Sequence, residues 1–327
     1  MAVPADLLAA IHTGHHFIVC GHARPDGDAI GSVIAMGAAL RALGKTEVRT
    51  ISADAAPSAL AGLPEMTAFE VVSHVDATNT TVIVMESGAL ARTGITGLET
   101  GFVINIDHHL GNTAYGQINW FDESAAACTE LVADLIDALG VAWTPVIAAH
   151  LYVGVSTDTG SFRHSHITAR TFALAQRCVE AGADPVAIYQ QVYDSYSLGR
   201  LRLMGELLHT MQLEADGRIA VLTLTPEVHA RTGSTPDESD GLINVPFTAR
   251  TTCIVLLLRL DTDGRSRISM RSKDAIDIRV VAQQFGGGGH RNASGFTSDA
   301  SLETLRAQLM PLLVAALETA HHPVPGA

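Results

Sequence analysis

Acidic and imidazole side chains recur at the points where apolar runs of this chain end. Eight such residues fall at four places: His22, Asp26 and Asp28; Glu86; Asp107, His108 and His109; and Asp158. Titratable groups at the end of a buried strand are poor core residues, but they are well suited to metal binding or proton transfer. Carboxylates and imidazoles without a nearby thiolate favour Mn²⁺, or a similar ion such as Mg²⁺ or Co²⁺, over a structural zinc.

The carboxylates indicate how many ions such a site would hold. Asp26 and Asp28 are two residues apart, so in an extended segment they face the same side and could reach two neighbouring metals. Together with Glu86 and Asp158 they would balance the charge of two divalent cations. Two metals about 3.5–4 Å apart can lower the pKa of a shared water and clamp a phosphate. An imidazole that is not a ligand can bind phosphoryl oxygens or protonate the leaving alkoxide. The sequence therefore predicts a two-metal phosphoesterase that uses an activated hydroxide.

Strands and helices alternate through the first half of the chain. The pattern predicts strands over residues 16–22, 47–52, 80–85 and 101–106, and helices over residues 5–13, 29–43, 124–139, 145–155 and 168–181. Asp28 and Asp122 are the predicted N-caps of the helices at 29–43 and 124–139. Repeated strand–helix units indicate a parallel α/β sheet, which gathers ligands at the carboxyl ends of its strands. We expect this domain to span residues 1–188.

The pattern changes after a helical linker, which is predicted over residues 189–212. Strands are predicted over residues 218–224, 252–259 and 267–271, and helices over residues 275–285 and 302–319. Asp263-Gly264 is a hairpin signal between the last two strands. These elements predict a smaller α+β domain over residues 213–327.

A glycine run in the second domain is a candidate substrate site. Gly287, Gly288 and Gly289 let the backbone approach a ligand closely. Arg271 and His290 could grip a terminal phosphate, for which the guanidinium group is well shaped.

Composition narrows the choice of partners and compartment. The formal net charge of −13 argues against a protein that coats long nucleic acid. The four cysteines form no CxxC pair, which fits a reducing, cytoplasmic compartment. The chain shows neither a signal peptide nor an apolar run long enough for a membrane span.

Several of these motifs together resemble the DHH phosphoesterase superfamily. The matching segments are His22-x3-Asp26-x-Asp28, Asp107-His108-His109 with Asn112, and Thr157-Asp158-Thr159-Gly160. The segment Gly286-Gly287-Gly288-Gly289-His290-x2-Ala293-Ser294-Gly295 resembles the substrate-binding DHHA1 domain of that superfamily. The length and short linker resemble the NrnA-like branch, bifunctional oligoribonucleases and 3'-phosphoadenosine 5'-phosphate phosphatases. The resemblance implies a parallel-sheet α/β DHH domain joined by a helical linker to a smaller α+β DHHA1 domain.

The resemblance also implies a role for each site residue. One metal would be held by His22, Asp26 and Glu86, and the other by Asp28, Glu86, His108 and Asp158. His109 would face the scissile phosphate, and Asp107 would orient the neighbouring imidazoles. The bridging position is commonly Asp in the family, whereas this chain has Glu86. The substrates would be short oligonucleotides or small nucleotides, and a homodimer is left open.

Other interpretations compete with these assignments. Asp28 could be only a helix cap, Glu86 an exposed loop acid, Asp158 a turn residue and the glycine run a flexible loop. A substrate role for Arg163, His164 and His166 is left open. The alternative functions are a cyclic or linear dinucleotide phosphodiesterase, an inorganic pyrophosphatase and a non-catalytic nucleotide-binding protein. An exonuclease on long single strands fits the acidic charge less well.

Overall fold

The structure is a computed structural model that describes residues 2–163 and 167–319, so His164 and His166 lie outside the described residues. The chain divides into two compact units, Met1–Ser195 and Tyr196–Ala327. Each unit has its own sheet. Within the described residues no helix is long and apolar enough to cross a membrane.

The first unit is built on a six-stranded sheet in which every paired strand is parallel to its neighbour. Its strands are β1 His16–Cys20, β2 Glu47–Ser52, β3 Phe69–Val71, β4 Thr81–Met85, β5 Phe102–Asp107 and β6 Ile118–Phe121, in the order β3-β2-β1-β4-β5-β6. This confirms the predicted parallel α/β sheet. The sequence pattern missed the two edge strands, β3 and β6, which are three and four residues long.

Six α-helices in the described part of this unit accompany the sheet. They are α1 Ala5–Thr13, α2 Gly27–Ala42, α3 Cys128–Ala138, α4 Pro145–Asp158, α5 Ala169–Glu180 and α6 Pro185–Tyr193. Helices α2 and α4 are buried on nearly all sides, which their small residues permit. At Gly31 a Cβ atom would lie 2.4 Å from the carbonyl oxygen of His150, so only glycine allows this approach of α2 to α4.

Two predicted helix caps were wrong. Helix α2 begins at Gly27, and its N-cap is Asp26, whose Oδ1 accepts hydrogen bonds from the backbone N–H groups of Asp28 (3.1 Å) and Ala29 (3.0 Å). Helix α3 begins at Cys128, several residues after Asp122, whose carboxylate caps a turn at Ser124 instead. The carboxylate of Asp28 does not cap its own helix and instead accepts hydrogen bonds from the N-terminus of α3.

Up to Thr319, the second unit contains a mixed six-stranded sheet and four α-helices. The strands are β7 Gln212–Glu214, β8 Ile219–Leu224, β9 Ile254–Leu260, β10 Ser266–Ser272, β11 Gly288–His290 and β12 Ala293–Ser298, in the order β11-β12-β10-β9-β8-β7. The helices are α7 Leu198–His209, α8 Pro226–Thr232, α9 Arg279–Gln283 and α10 Leu302–Thr319. Residues 189–212 thus contain the end of α6 and all of α7. Helix α7 is packed into this unit, because Leu203 and Leu207 are buried in one of its two apolar clusters.

The glycine run is not a loop throughout. Gly288–His290 is an edge strand that pairs antiparallel with β12, and within the run only Gly286 lies in a turn. Gly289 has φ +131° and Gly286 has φ +72°, conformations that L side chains rarely adopt. The helix predicted over 275–285 is reduced to the five residues of α9.

Candidate metal centre

The residues selected from the sequence converge on one edge of the parallel sheet. Strands β1, β4 and β5 are adjacent, and their carboxyl ends lead into His22, Glu86 and the Asp107-His108-His109 triplet. Asp158 reaches the same place from the last residue of α4. This is the edge at which a parallel α/β sheet presents ligand-binding groups.

His108 is the central donor of the site. Its Nε2 lies 3.2 Å from Glu86 Oε1, 3.5 Å from Asp158 Oδ2 and 3.9 Å from Asp28 Oδ2. Two groups of three potential metal ligands have donor atoms within 4.8 Å of one another: Glu86, His108 and His109; and Asp28, His108 and Asp158. The donor that both groups share is His108.

His22 and Asp26 form a neighbouring pair. His22 Nε2 lies 3.6 Å from Asp26 Oδ2, and neither residue belongs to the two groups that share His108. The negative charge of Asp26 nevertheless acts on Glu86, Asp28 and Asp158, so the pair belongs to the same electrostatic centre.

Three imidazoles present the same nitrogen to this centre. His22 Nδ1 lies 2.9 Å from Ala23 O and His108 Nδ1 lies 3.1 Å from Ala125 O. His109 Nδ1 lies 2.8 Å from Asp107 Oδ1. Each Nδ1–H has an oxygen acceptor, so Nε2 is the nitrogen that can bind a metal or a substrate after it loses any proton it carries. Fixing the tautomer through the second nitrogen is the usual arrangement around metal-binding histidines.

Asp28 is held by the N-terminus of α3. The side chain has no exposed surface, and its oxygens accept hydrogen bonds from the backbone N–H groups of Cys128 (2.6 Å) and Thr129 (3.1 Å). These N–H groups have no acceptor within their own helix and carry partial positive charge. These two hydrogen bonds clamp the buried carboxylate of Asp28 in a fixed orientation.

Glu86 sits in a strained turn at the end of β4. It is only 2% exposed, so the interpretation as an exposed loop acid was wrong. Its φ of 55° lies in the left-handed region, which Glu adopts less readily than Asp. The turn is held from the segment that follows the triplet: Tyr115 donates to Ser87 O (2.9 Å) and the Thr113 N–H donates to Gly88 O (2.9 Å).

Burial and mutual repulsion shift the pKa values of the acidic residues in the centre. Burial and the charge of Asp28 raise the pKa of Glu86 well above its ordinary value, and the same two causes raise the pKa of Asp158 to about 6. Burial also raises the pKa of Asp28. Burial lowers the pKa of His108, but the hydrogen bond to Glu86 and the nearby carboxylates outweigh it and raise that pKa to about 10. The pKa values of the three carboxylates are raised by burial and by repulsion from neighbouring carboxylates, which a bound cation would relieve, whereas the pKa of His108 is raised by attraction to those carboxylates.

The donor set fits divalent metal ions. Oxygen and imidazole nitrogen donors converge, and within the described chain Glu86 Oε2 is buried without a hydrogen-bond partner. Buried polar atoms normally have a partner, and a metal ion would supply one for this oxygen. Because Glu86 has two carboxylate oxygens, it could bind one ion with each. Cys20 and Cys128 are buried nearby, and burial raises the pKa of both thiols, so they are unsuited as thiolate ligands.

The predicted substrate residues lie in the second unit. Register places Arg271 of β10 and His290 of β11 opposite the same residue of β12, Ala293. Directly paired residues point to the same face of a sheet, so Arg271 and His290 share a face. Arg271 is half-buried, and its Nη1 donates to Met270 O (3.0 Å). No carboxylate of the described chain forms a salt bridge with it, so its other N–H groups could bind an anion.

Comparison with known proteins agrees with this geometry. The model of the DHH family, N-terminal domain, matches residues 16–155, and that of the DHHA1 domain matches residues 217–319. The chain is 32% identical, over 91% of its own length and 88% of the relative's, to the bifunctional oligoribonuclease and PAP phosphatase NrnA of Thermus thermophilus. The chain belongs to the DHH family.

Other relatives of this DHH-family chain are similar over almost its whole length. A probable bifunctional oligoribonuclease and PAP phosphatase NrnA of Streptococcus mutans is 26% identical over 89% of the chain and 92% of the relative. The crystal structure of an exopolyphosphatase-related protein from Bacteroides fragilis superimposes with a TM-score of 0.82 at 27% identity, covering 96% of this chain and 94% of that one. The fold of the whole chain is therefore similar to that of a solved protein.

Some residues that shape the site were not found from the sequence. Cys128 and Thr129 contribute through backbone N–H groups, which leave no signal in residue type. Asn105 does leave a signal, because it is a polar residue in the middle of an apolar strand. Gly154 also contributes, because a Cβ atom there would lie 2.6 Å from Asp28 Oδ1.

Proposed function

We propose that the chain hydrolyses short oligonucleotides to 5'-mononucleotides and removes the 3'-phosphate of 3'-phosphoadenosine 5'-phosphate. The observation that carries the proposal is the convergence of three carboxylates on one imidazole nitrogen, His108 Nε2, at distances of 3.2 to 3.9 Å. Such a concentration of negative charge suits divalent cations and a phosphate ester. The names of the Thermus and Streptococcus relatives support the choice of substrates.

Two Mn²⁺ ions are the proposed cofactors. His22, Asp26 and Glu86 would hold one, and Asp28, Glu86, His108 and Asp158 the other. When bound, such ions supply an acidified water and positive charge against the phosphoryl oxygens. Cytoplasmic location and assembly as a homodimer are part of the same proposal.

The chain's own residues supply orientation and proton transfer. Asp107 accepts the Nδ1–H of His109, so His109 presents Nε2 to the scissile phosphate, where it can hold or deliver a proton to the leaving oxygen. In the second unit Arg271 and His290 would bind the terminal phosphate. The glycine backbone of β11 would lie against the nucleotide.

A substrate panel tests the proposal. Purified protein is dialysed against a chelator, reloaded with Mn²⁺ and incubated with a dinucleotide, a long single strand, 3'-phosphoadenosine 5'-phosphate, cyclic di-AMP and pyrophosphate. We expect turnover of the dinucleotide and of 3'-phosphoadenosine 5'-phosphate, with little turnover of the long strand. Preferential hydrolysis of pyrophosphate or cyclic di-AMP would replace the proposed substrate. No turnover of any compound by metal-loaded protein would contradict an enzymatic role.

A further inference from the structure

A chain of hydrogen-bonded side-chain amides leads from the buried Asn105, in the middle of β5, to the imidazole of His109. Val103, Asn105 and Asp107 alternate with Ile104 and Ile106 along β5, so Asn105 and Asp107 point to the same face of the sheet. Both side chains are fully buried. An aliphatic residue could fill the position of Asn105. Because burying an amide without hydrogen bonds lowers the stability of the fold, the partners of Asn105 matter.

Asn112 bridges the gap between these two residues. Asn105 Nδ2 donates to Asn112 Oδ1 (2.7 Å), and Asn112 Nδ2 donates to Asp107 Oδ2 (2.6 Å). Asn112 Nδ2 also reaches Asn105 Oδ1 at 3.4 Å, so the two amides face each other. The other oxygen of Asp107 accepts the Nδ1–H of His109 at 2.8 Å.

The direction of these hydrogen bonds is fixed by chemistry. A carboxylate only accepts, so Asn112 must turn its NH₂ group toward Asp107 and its carbonyl oxygen toward Asn105. That oxygen also accepts the backbone N–H of Ala114 (2.8 Å), which anchors the loop. Asp107 and the Ala114 N–H therefore fix the orientation of Asn112, and Asn105 supports it by donating to the same amide oxygen. Asn112 occupies Asp107 Oδ2, which leaves Asp107 Oδ1 for the imidazole.

The far end of the chain is tied to the neighbouring strand. Asn105 Nδ2 lies 3.4 Å from Asn119 Oδ1, which accepts the backbone N–H of Gly116 (2.9 Å), and Asn119 Nδ2 donates to Gly116 O (2.7 Å). Asn119 belongs to β6 and is paired in register with Asn105. The amides are therefore attached to the rigid sheet, although the imidazole that they serve lies on a loop.

We propose that Asn105 and Asn112 are positioning residues that act through Asp107 to fix the tautomer and direction of the His109 ring. They touch neither the proposed metal ligands nor the substrate. The kinetic part of this inference rests on the proposed function, whereas the structural part concerns the hydrogen bond between His109 and Asp107 and does not.

Two variants separate positioning from mere packing. Asn112→Asp keeps the acceptor for Ala114 and for Asn105 but loses the donor to Asp107 and sets a second carboxylate against it. Asn105→Leu removes the sheet-anchored end with little change of shape. Ile104→Val is the matched control, because Ile104 lies on the same strand but on the opposite face, in a separate apolar cluster.

The first readout is the imidazole N–H proton of His109 in the full-length protein labelled with ¹⁵N-histidine. Its resonance is assigned by its loss in His109→Gln. We expect the resonance to be lost or to exchange rapidly with water in both Asn variants and to persist in Ile104→Val. An unchanged resonance in the Asn variants would overturn the proposal. If Asn112→Asp does not fold, Asn105→Leu decides the question.

The second readout is steady-state hydrolysis of a dinucleotide, with Mn²⁺ affinity measured by calorimetry. We expect kcat to fall about tenfold or more in both Asn variants, the range typical of groups that orient a catalytic side chain, while KM and Mn²⁺ affinity stay near those of the parent. A parallel loss of metal affinity and kcat, with the N–H resonance intact, would show a structural role and overturn the proposal. If the parent protein turns over no substrate, the proposed function fails while the NMR readout still tests the amide chain.

Discussion

Helix α4 packs so closely against Asp28 that adding one methyl group at Gly154 tests the metal centre. Gly154 lies one turn before Asp158, and a Cβ atom at this position would lie 2.6 Å from Asp28 Oδ1 and 2.3 Å from Thr129 Cγ2. Real Cβ atoms do not approach other atoms so closely, so Gly154→Ala must displace Asp28, Thr129 or the helix itself. Asp28 cannot turn away easily, because Cys128 and Thr129 hold both of its oxygens.

Two costs follow from this collision. Inserting a methyl group into a close-packed interior costs about 1–3 kcal/mol of folding free energy. Displacing a metal-binding carboxylate or its support typically lowers metal affinity or activity by about 10- to 100-fold. We therefore expect Gly154→Ala to lower the melting temperature of the metal-free protein and also to reduce the additional stabilisation by Mn²⁺.

The chain offers a matched control for the same substitution. Gly205 lies in α7, and a Cβ atom there would have no atom within 4 Å. Gly205→Ala should stabilise the helix by roughly 0.5–1 kcal/mol and leave Mn²⁺ binding unchanged. Thermal denaturation with and without Mn²⁺, together with calorimetric titration of the ion, measures both effects. Parent-like Mn²⁺ affinity in Gly154→Ala would refute the reasoning that Asp28 binds metal in its clamped position.

Three further predictions address the charges of the site. Glu86→Gln should lower kcat/KM on the order of 100-fold because it removes a buried carboxylate. Glu86→Asp suits the left-handed turn better, so its kcat/KM should stay within about tenfold of the parent. Full activity of Glu86→Gln in the dinucleotide assay would exclude Glu86 as a bridging ligand. The rise in melting temperature caused by Mn²⁺ should increase from about pH 5 to about pH 8. Because the pKa of Asp158 is raised from 3.8 to about 6, its protonation stabilises the metal-free fold at low pH and is lost as the pH rises through about 6, and the proton on His108 also competes with the metal more strongly at low pH. A thermal shift that is independent of pH would contradict this. Arg271→Lys should raise KM for a dinucleotide about tenfold with kcat nearly unchanged, because a guanidinium binds phosphate in a geometry that an ammonium cannot reproduce. An unchanged KM would show that Arg271 does not bind the substrate.

Local sequence pattern was sufficient for the part of the site that follows strands. The run before Asp107 is apolar and the residues after it break the strand, so the triplet had to lie at the end of β5. The same reasoning placed His22 at the end of the first strand and Glu86 directly after β4. Parallel pairing then brings these ends together, because the order of the strands makes β1, β4 and β5 neighbours.

Contacts between distant segments could not be predicted in this way. The N-cap prediction for Asp28 failed because its carboxylate serves α3, about a hundred residues further along the chain. The amide of Asn105 finds its partners only once the loop after the triplet folds back. The edge strand at Gly288–His290 was missed because glycine disfavours strands, whereas its pairing with β12 is a tertiary contact that overrides this preference.

The most direct measurement is dinucleotide hydrolysis by the metal-free protein as Mn²⁺ is added back, with binding stoichiometry and products determined on the same samples. We predict two equivalents of Mn²⁺ per chain, no turnover without the ion, a rate that follows occupancy of the second equivalent, and 5'-mononucleotides as the product. Full activity at one equivalent, or no hydrolysis with two ions bound, would contradict a two-metal phosphoesterase built on His22, Asp26, Asp28, Glu86, His108 and Asp158.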